Sequence, residues 1–369
     1  MCDVLVLTAK FGQGHLSVST AIQNMFKEKK DNLEVICIDP FDYFCDEYDK
    51  YQKIYNKLSG KMPKIYEILY KYKEKWPNNL LDAFIYRRHW RKMDEILNLY
   101  KPKVVISTFP MCSGLVARVK RYRYLKLPLI TVITDVVDSW EWIHEETDCY
   151  CVAAPHIKKA LKKKGISEDK ISVTGIPVRS DFLKNKKIIG KEKWQVLIVA
   201  SSMQQFKINE QSLRSLEELK HFNFVLVTGK EKKLFDSLKN KRFSNIQVLG
   251  YTNKMHNLML ESDFIVTKPG GITIHEAIHC ELPLVLTGKA IGQEKINAKF
   301  IECEDLGITI QDFNELKTML FAIEDDLKKY KVWQVNLKKA RKWQDQSKII
   351  KKTYSFLTDT LLLKKGMRI

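Results

Sequence analysis

No stretch of this 369-residue chain approaches the ~18–20 consecutive apolar residues that a membrane-spanning helix needs. The opening MCDVLVLTAK has no basic flank before its apolar run and no small-residue cleavage site, so a secretory leader is not expected. Eight cysteines lie scattered at positions 2, 37, 45, 112, 149, 151, 280 and 303 without a CxxC pair. That spacing excludes a zinc site or a disulfide framework and fits a reducing, cytosolic interior. Carboxylates are scarce in two places. Residues 50–92 hold three against twelve basic side chains, and residues 328–369 hold two against thirteen. Together these stretches carry +20, and the other 284 residues sum to −1, which leaves the chain at +19.

What is present is enough to build real cores. Hydrophobic residues make up 45% and aromatics 11% of the chain, and the length suits two domains rather than one. Charge this localised points to a polyanionic partner, either nucleic acid or anionic lipid head groups. In 50–92 the cations interleave with Tyr55, Tyr66, Tyr70, Trp76, Tyr86 and Trp90. Rings and cations at helical spacing suit the head-group layer of a membrane, although the same mixture can stack on single-stranded nucleic acid. Either stretch alone reads equally well as an amphipathic helix with a solvated lysine face; the two together favour the membrane.

Short β-branched runs recur at Val4–Leu7, Val35–Ile38, Val104–Ser107, Ile130–Ile133, Tyr150–Ala153 and Ile171–Thr174, separated by stretches of helical period. After Gly175-Ile-Pro-Val the pattern stops and residues 184–195 form a lysine-rich connector. It restarts at Val196–Val199, Phe224–Val227, Ile246–Leu249, Phe264–Thr267, Leu284–Thr287 and Ile308–Ile310. The expected architecture is α/β, two consecutive doubly wound parallel sheets. Three segments are expected: an acceptor- and membrane-facing domain over 1–185, a nucleotide-sugar domain over 186–345, and a basic terminal helix over 346–369 that packs back on the first domain.

Ligands of such sheets bind where strands run into loops at their carboxyl ends. Three junctions carry candidate chemistry. The first is Thr8 to His15, with Gly12, Gly14 and His15 opening a helix at Leu16–Met25; a histidine there suits a general base, and a structural role fits it as well. A missing third glycine and the absence of a suitably placed acid argue against a nicotinamide site. The second is Lys268-Pro-Gly270-Gly271, whose glycines free backbone N–H groups at a helix start, with Glu276 further along to meet ribose hydroxyls. The third runs from Gly288 to Ala298 and offers Gln293, Glu294 and Asn297 to sugar hydroxyls.

These pieces, in order, carry a resemblance. Gly12-Gln-Gly14-His15, Thr108-Phe-Pro110, Thr134-Asp135, Trp142-Ile-His144-Glu145, Gly175-Ile-Pro177-Val-Arg179, Lys268-Pro-Gly-Gly and Gly292-Gln-Glu-Lys-x-Asn297-Ala together resemble the diacylglycerol glycosyltransferases, both the processive glucosyltransferases and the monogalactosyldiacylglycerol synthases. The likeness runs from Val4 to about residue 325. It implies a GT-B fold, with two Rossmann-like domains facing a central cleft, and a peripheral membrane enzyme on the cytoplasmic side of the cell membrane. It also implies an inverting, metal-free transfer from UDP-glucose or UDP-galactose to the sn-3 hydroxyl of diacylglycerol. His15 then matches the catalytic base, with Asp135 as the second candidate. Gly14, Ser201, Ser202, Gly250, Tyr251, Met255, Lys268, Gly270, Gly271, Thr273, Glu276, Gln293, Glu294 and Asn297 fall to the donor. Phe109, Pro110, Trp76, Arg87, Arg88, Trp90 and Trp142 fall to the acceptor and the anionic membrane surface.

One departure stands out. The loop after the first strand of the second half, Ala200 to Phe206, contains no glycine where the family uses one against the donor phosphates. Serine hydroxyls can replace some N–H contacts, but donor affinity and identity are open at that point. The alternatives are a related UDP-sugar transferase acting on another lipid-linked or soluble acceptor, and a basic nucleic-acid-binding protein without turnover. Nucleic-acid binding has no use for the Glu276 and Gln293–Asn297 constellation, which speaks against the latter.

Overall fold

The computed structural model describes residues 1–10, 13–29, 32–44, 67–68, 80–183, 192–200, 206, 208–287, 290 and 292–364; side chains at 13, 80–85 and 360–364 are not described. The chain divides into two compact units. Unit 1 comprises Met1–Ser180 with Trp343–Ile369, and unit 2 comprises Asp181–Lys342. The first division therefore falls five residues before the expected position, and the chain re-enters unit 1 three residues earlier than expected.

Unit 1 is built on β1 (Val4–Leu7), β2 (Val35–Ile38), β3 (Val104–Ser107), β4 (Leu129–Val132), β5 (Cys149–Val152) and β6 (Ile171–Val173). They form one parallel sheet in the order β2-β1-β3-β4-β5-β6, with Val4 opposite both Val35 and Val104. All four residues of β1 are at 0% exposure, which is why the strand reads as an unbroken apolar run rather than an alternation. Helices α1 (Gln13–Glu28), α2 (Leu80–Tyr100), α3 (Pro110–Arg123) and α4 (Pro155–Lys163) supply the crossovers. Met93, Ile96 and Leu97 of α2 and Leu115, Val116 and Val119 of α3 are buried against Leu5, Leu7 and Val105.

Unit 2 is built on β7 (Trp194–Val199), β8 (Phe222–Val227), β9 (Ile246–Leu249), β10 (Phe264–Thr267), β11 (Leu284–Thr287) and β12 (Gly307–Ile310). Its sheet is also parallel, in the order β12-β11-β10-β7-β8-β9. The helices are α5 (Glu210–Arg214), α6 (Lys232–Leu238), α7 (Met255–Leu260), α8 (Gly271–His279), α9 (Gln293–Cys303), α10 (Phe313–Asp325) and α11 (Lys328–Lys342). Phe222, Phe224, Phe264 and Trp333 anchor its core. The doubly wound expectation holds in both units.

The last helix, α12 (Ser347–Lys364), belongs to unit 1. It is tied there by Gln346, whose buried amide accepts from the Val178 N–H at 2.8 Å and donates to the Val178 carbonyl at 3.1 Å. Ile349, Ile350 and Leu357 bury its inner face, and Tyr354 meets Phe26 of α1 at 6.5 Å. No described helix is long and apolar enough to cross a membrane.

Candidate active site

In each sheet the winding direction reverses between two neighbouring strands, and the crevice at their carboxyl ends is the ligand position of doubly wound sheets. In unit 1 the reversal lies between β1 and β3. The loop after β1 leads to Gly14 and His15 on the first turn of α1, and the loop after β3 is Thr108-Phe109-Pro110, with Pro110 opening α3. The fold thus brings together two segments that lie 93 residues apart in sequence.

His15 is held from three sides. Its Nδ1 lies 2.9 Å from the Thr108 carbonyl oxygen and 3.0 Å from Oγ1 of Thr134, at the end of β4. A carbonyl oxygen only accepts, so Nδ1 carries the hydrogen and Nε2 keeps its lone pair. Phe109 stands edge-on to the ring at 4.9 Å and 79°, and Phe41 stands edge-on to Phe109 at 6.0 Å. Burial pushes the imidazole pKa down from 6.5 to about 4, opposed in part by the Thr108 hydrogen bond. The ring is therefore neutral at pH 7 and able to accept a proton. Asp135 is half-buried beside Thr134, but neither oxygen on Nδ1 is its own.

In unit 2 the reversal lies between β7 and β10. The loop after β7 holds Ser201 and Ser202, which lie outside the described residues; only Ala200 and Phe206 of the glycine-free segment are described, both buried. The loop after β10 is Lys268-Pro269-Gly270, where the Gly270 N–H donates to the Lys268 carbonyl at 2.8 Å. Gly270 then starts α8 without any side-chain cap on its first turn. Among the described residues, a Cβ at Gly270 would meet only Lys268 Cε at 4.0 Å. A helix start of this kind has the donors that an anion can accept from. Thr273 and Glu276, both half-buried, lie further along the same helix.

The loop after β11 ends at Gly292, whose φ of 55° and ψ of −129° favour glycine. It turns Gln293 and Glu294 into the first turn of α9. Glu294 Oε1 pairs with the Lys268 ammonium at 2.8 Å, joining the second and third junctions. Asn297 differs from expectation. It is at 0% exposure, and its Nδ2 donates to the Pro269 carbonyl at 3.0 Å. With its side chain inside the protein, it holds the turn ahead of Gly270. Gly250 closes β9, Tyr251 beside it is 74% exposed, and Met255 opens α7.

The residues assigned to a membrane separate. Arg87 and Arg88 of α2 are exposed. Trp90 stacks on Tyr122 at 4.7 Å, with the Arg91 guanidinium 5.8 Å over its ring. Trp142 is a correction: at 2% exposure it is a core side chain and has no surface to insert. Trp76 lies outside the described residues. Next to this face sits a cavity of about 420 Å³ that sequence reading missed, lined by Tyr86, Gly114, Ala117, Arg118, Tyr122 and Trp140 among others. Its floor exists because Gly114 lacks a side chain: a Cβ there would fall 2.2 Å from the Tyr86 ring. Thr134 and the Thr108 carbonyl were also missed as partners of His15. Their motifs stood out, but pairing across 119 and 93 residues is a tertiary fact.

Comparison with known proteins agrees with this geometry. Residues 15–178 match the family model for monogalactosyldiacylglycerol (MGDG) synthase, and residues 195–353 match the glycosyltransferase family 28 C-terminal domain. The chain is 30% identical over 340 residues to the processive diacylglycerol beta-glucosyltransferase of Bacillus cereus (strain G9842), covering 88% of this chain and 86% of that protein. The corresponding protein of Bacillus mycoides (strain KBAB4) is 29% identical over 343 residues, with the same coverage. Among solved structures, the calicheamicin glycosyltransferase CalG4 matches with a TM-score of 0.65 at 10% identity, over 97% of this chain and 99% of that one. MurG of Acinetobacter baumannii matches at 0.60 and 14% identity, over 95% and 99%. These distant likenesses carry the fold alone, the two-domain GT-B architecture.

Proposed function

Because the chain belongs to the diacylglycerol glycosyltransferase family, we propose that it transfers a hexose from UDP-glucose or UDP-galactose to the sn-3 hydroxyl of diacylglycerol. The observation that carries this reading is the state of His15: neutral, with Nδ1 anchored on Thr108 and Thr134, at the switch point of unit 1. His15 Nε2 takes the hydroxyl proton as the alkoxide oxygen attacks the sugar C1. The C1–O bond to the diphosphate breaks on the opposite face, the anomeric centre inverts, and UDP leaves with the bonding pair. His15 finishes as imidazolium and gives its proton to solvent.

Unit 2 supplies the charge stabilisation. The uncapped N–H groups of Gly271 onward and the positive end of α8 receive the departing diphosphate, and Lys268 adds a cation when it exchanges Glu294 for phosphate. Glu276 accepts from ribose hydroxyls, Gln293 and Glu294 meet the sugar, and Gly250, Tyr251 and Met255 border the base. Asp135 orients the acceptor; direct abstraction falls to His15, whose tautomer already suits it.

The enzyme works at the inner face of the cell membrane without spanning it. Arg87, Arg88 and Trp90 of α2 meet anionic head groups. The test is mass spectrometry of lipids after supplying diacylglycerol vesicles with each UDP-sugar separately. A hexosyl-diacylglycerol product supports the reading. UDP release that is indifferent to diacylglycerol, with no lipid product, moves the enzyme to another acceptor.

A further inference from the structure

A histidine that must accept a proton at one nitrogen has its tautomer set by what the other nitrogen touches. In many hydrolytic sites a buried carboxylate plays that part and also stabilises the imidazolium that forms. Among the described residues, no carboxylate is recorded on Nδ1 of His15. It has two uncharged oxygens, the Thr108 carbonyl at 2.9 Å and the Thr134 hydroxyl at 3.0 Å. Thr134 is only 4% exposed and stands at the end of β4, two strands from β1, so its position is set by the sheet itself. Phe109 closes the ring in from its edge.

We infer that Thr134 is a positioning residue for the transfer reaction: with the Thr108 carbonyl it shares the Nδ1 hydrogen of His15, fixes the tautomer that leaves Nε2 basic, and stabilises the imidazolium in place of a carboxylate. This rests on the reading of His15 as the base. The geometry supports the division of labour. The backbone carbonyl comes with the β3 loop and needs no particular side chain. The second oxygen exists only because residue 134 bears a hydroxyl. An uncharged clamp suits a site whose burial already keeps the ring neutral, because it holds Nδ1 without the upward pull on the ring's pKa that a neighbouring carboxylate exerts.

Thr134→Val keeps the shape and removes the acceptor; Thr134→Ser restores it. Thr134→Val is expected to lower kcat about 5- to 30-fold, the factor that follows from one lost hydrogen bond, with KM for the UDP-sugar unchanged. Losing an acceptor makes Nε2 less basic, so the acid limb of the kcat profile moves to lower pH, and Thr134→Ser returns both. The companion measurement needs no turnover: the nitrogen-15 shifts of His15 in the folded full-length protein report the Nδ1–H form in the wild type and a growing Nε2–H fraction in Thr134→Val. Wild-type kcat and an unmoved acid limb in Thr134→Val overturn the proposal, as does an Nε2–H spectrum in the wild type. If His15→Ala keeps full turnover, the base reading fails, and the nitrogen spectra still decide whether Thr134 sets the tautomer.

Discussion

The two units use the same plan with different chain order. Unit 2 winds as β12-β11-β10-β7-β8-β9, whereas unit 1 winds as β2-β1-β3-β4-β5-β6. Both reverse direction once, with His15 near that reversal in unit 1 and Gly270 in unit 2. The fillings differ. Unit 1 fills its crevice with one neutral ring braced by oxygens and phenyl groups. Among the described residues, unit 2 presents at its crevice a helix start whose N-cap is a glycine, and a half-exposed lysine. A base benefits from desolvation and fixed geometry; a diphosphate needs room and positive potential. On the proposed function, similar sheets are specialised by their strand-end loops, one for proton transfer and one for anion binding.

The largest expected effect breaks unit 1 alone. His15→Ala should cut turnover ~10²–10⁴-fold, the usual contribution of a general base, in an assay of hexose transfer to diacylglycerol. If Asp135→Asn abolishes turnover while His15→Ala spares it, the base moves to Asp135. The matching change in unit 2 is Glu276→Ala, which should weaken UDP by about 2–3 kcal/mol through loss of charge-assisted hydrogen bonds. Unchanged binding would remove Glu276 from the donor site.

Stability offers a second contrast. A Cβ at Gly307, at the start of β12, would fall 1.9 Å from the Leu284 carbonyl oxygen, whereas one at Gly114 would meet the tip of the Tyr86 ring. Backbone cannot yield as a ring tip can. Gly307→Ala should therefore cost about 3 kcal/mol and Gly114→Ala nearer 1 kcal/mol, read as denaturant midpoints; equal losses would mean that the Leu284 strand gives way after all.

Acid should weaken both units. His15 is held down to about 4 and His279 of α8 to about 3, burial being the main cause in each. The unfolded chain protonates these rings near 6.5, so stability is intact above that value and is lost as pH falls below it. At pH 5.5 each histidine should have cost about 1.4 kcal/mol relative to pH 7.5. A melting temperature that stays flat from pH 7.5 to 5.5 would show that neither ring is buried as described.

The smallest effect concerns the surface. Each of Arg87→Gln and Arg88→Gln should weaken sedimentation with phosphatidylglycerol vesicles by ~1 kcal/mol, the attraction per cation near an anionic surface. Added salt should mimic them. Equal binding to phosphatidylcholine would sink the electrostatic account.

Much of the fold was legible because parallel strands covered on both faces read as apolar runs; every strand falls within two residues of its expected position. The strand-end positions of His15 and Gly270 were legible for a related reason, since strand ends are where these sheets bind ligands. Burial and pairing were not. Trp142 follows a loop and carries no periodicity to tell core from surface, and Asn297 sits in a helix whose polar residues all read as ligands until the Pro269 carbonyl is seen beside one of them. The Thr134 hydroxyl was invisible as a partner because strand order, and not sequence distance, brings it to His15.

The central claim is the separation of base from cradle, and one measurement reaches it most directly: isothermal titration of UDP into the wild type, His15→Ala and Glu276→Ala side by side. The account predicts that His15→Ala binds UDP within about threefold of wild type while Glu276→Ala loses on the order of 30-fold or more. A His15→Ala protein that loses UDP as severely as Glu276→Ala would contradict it, because the histidine would then be holding the donor.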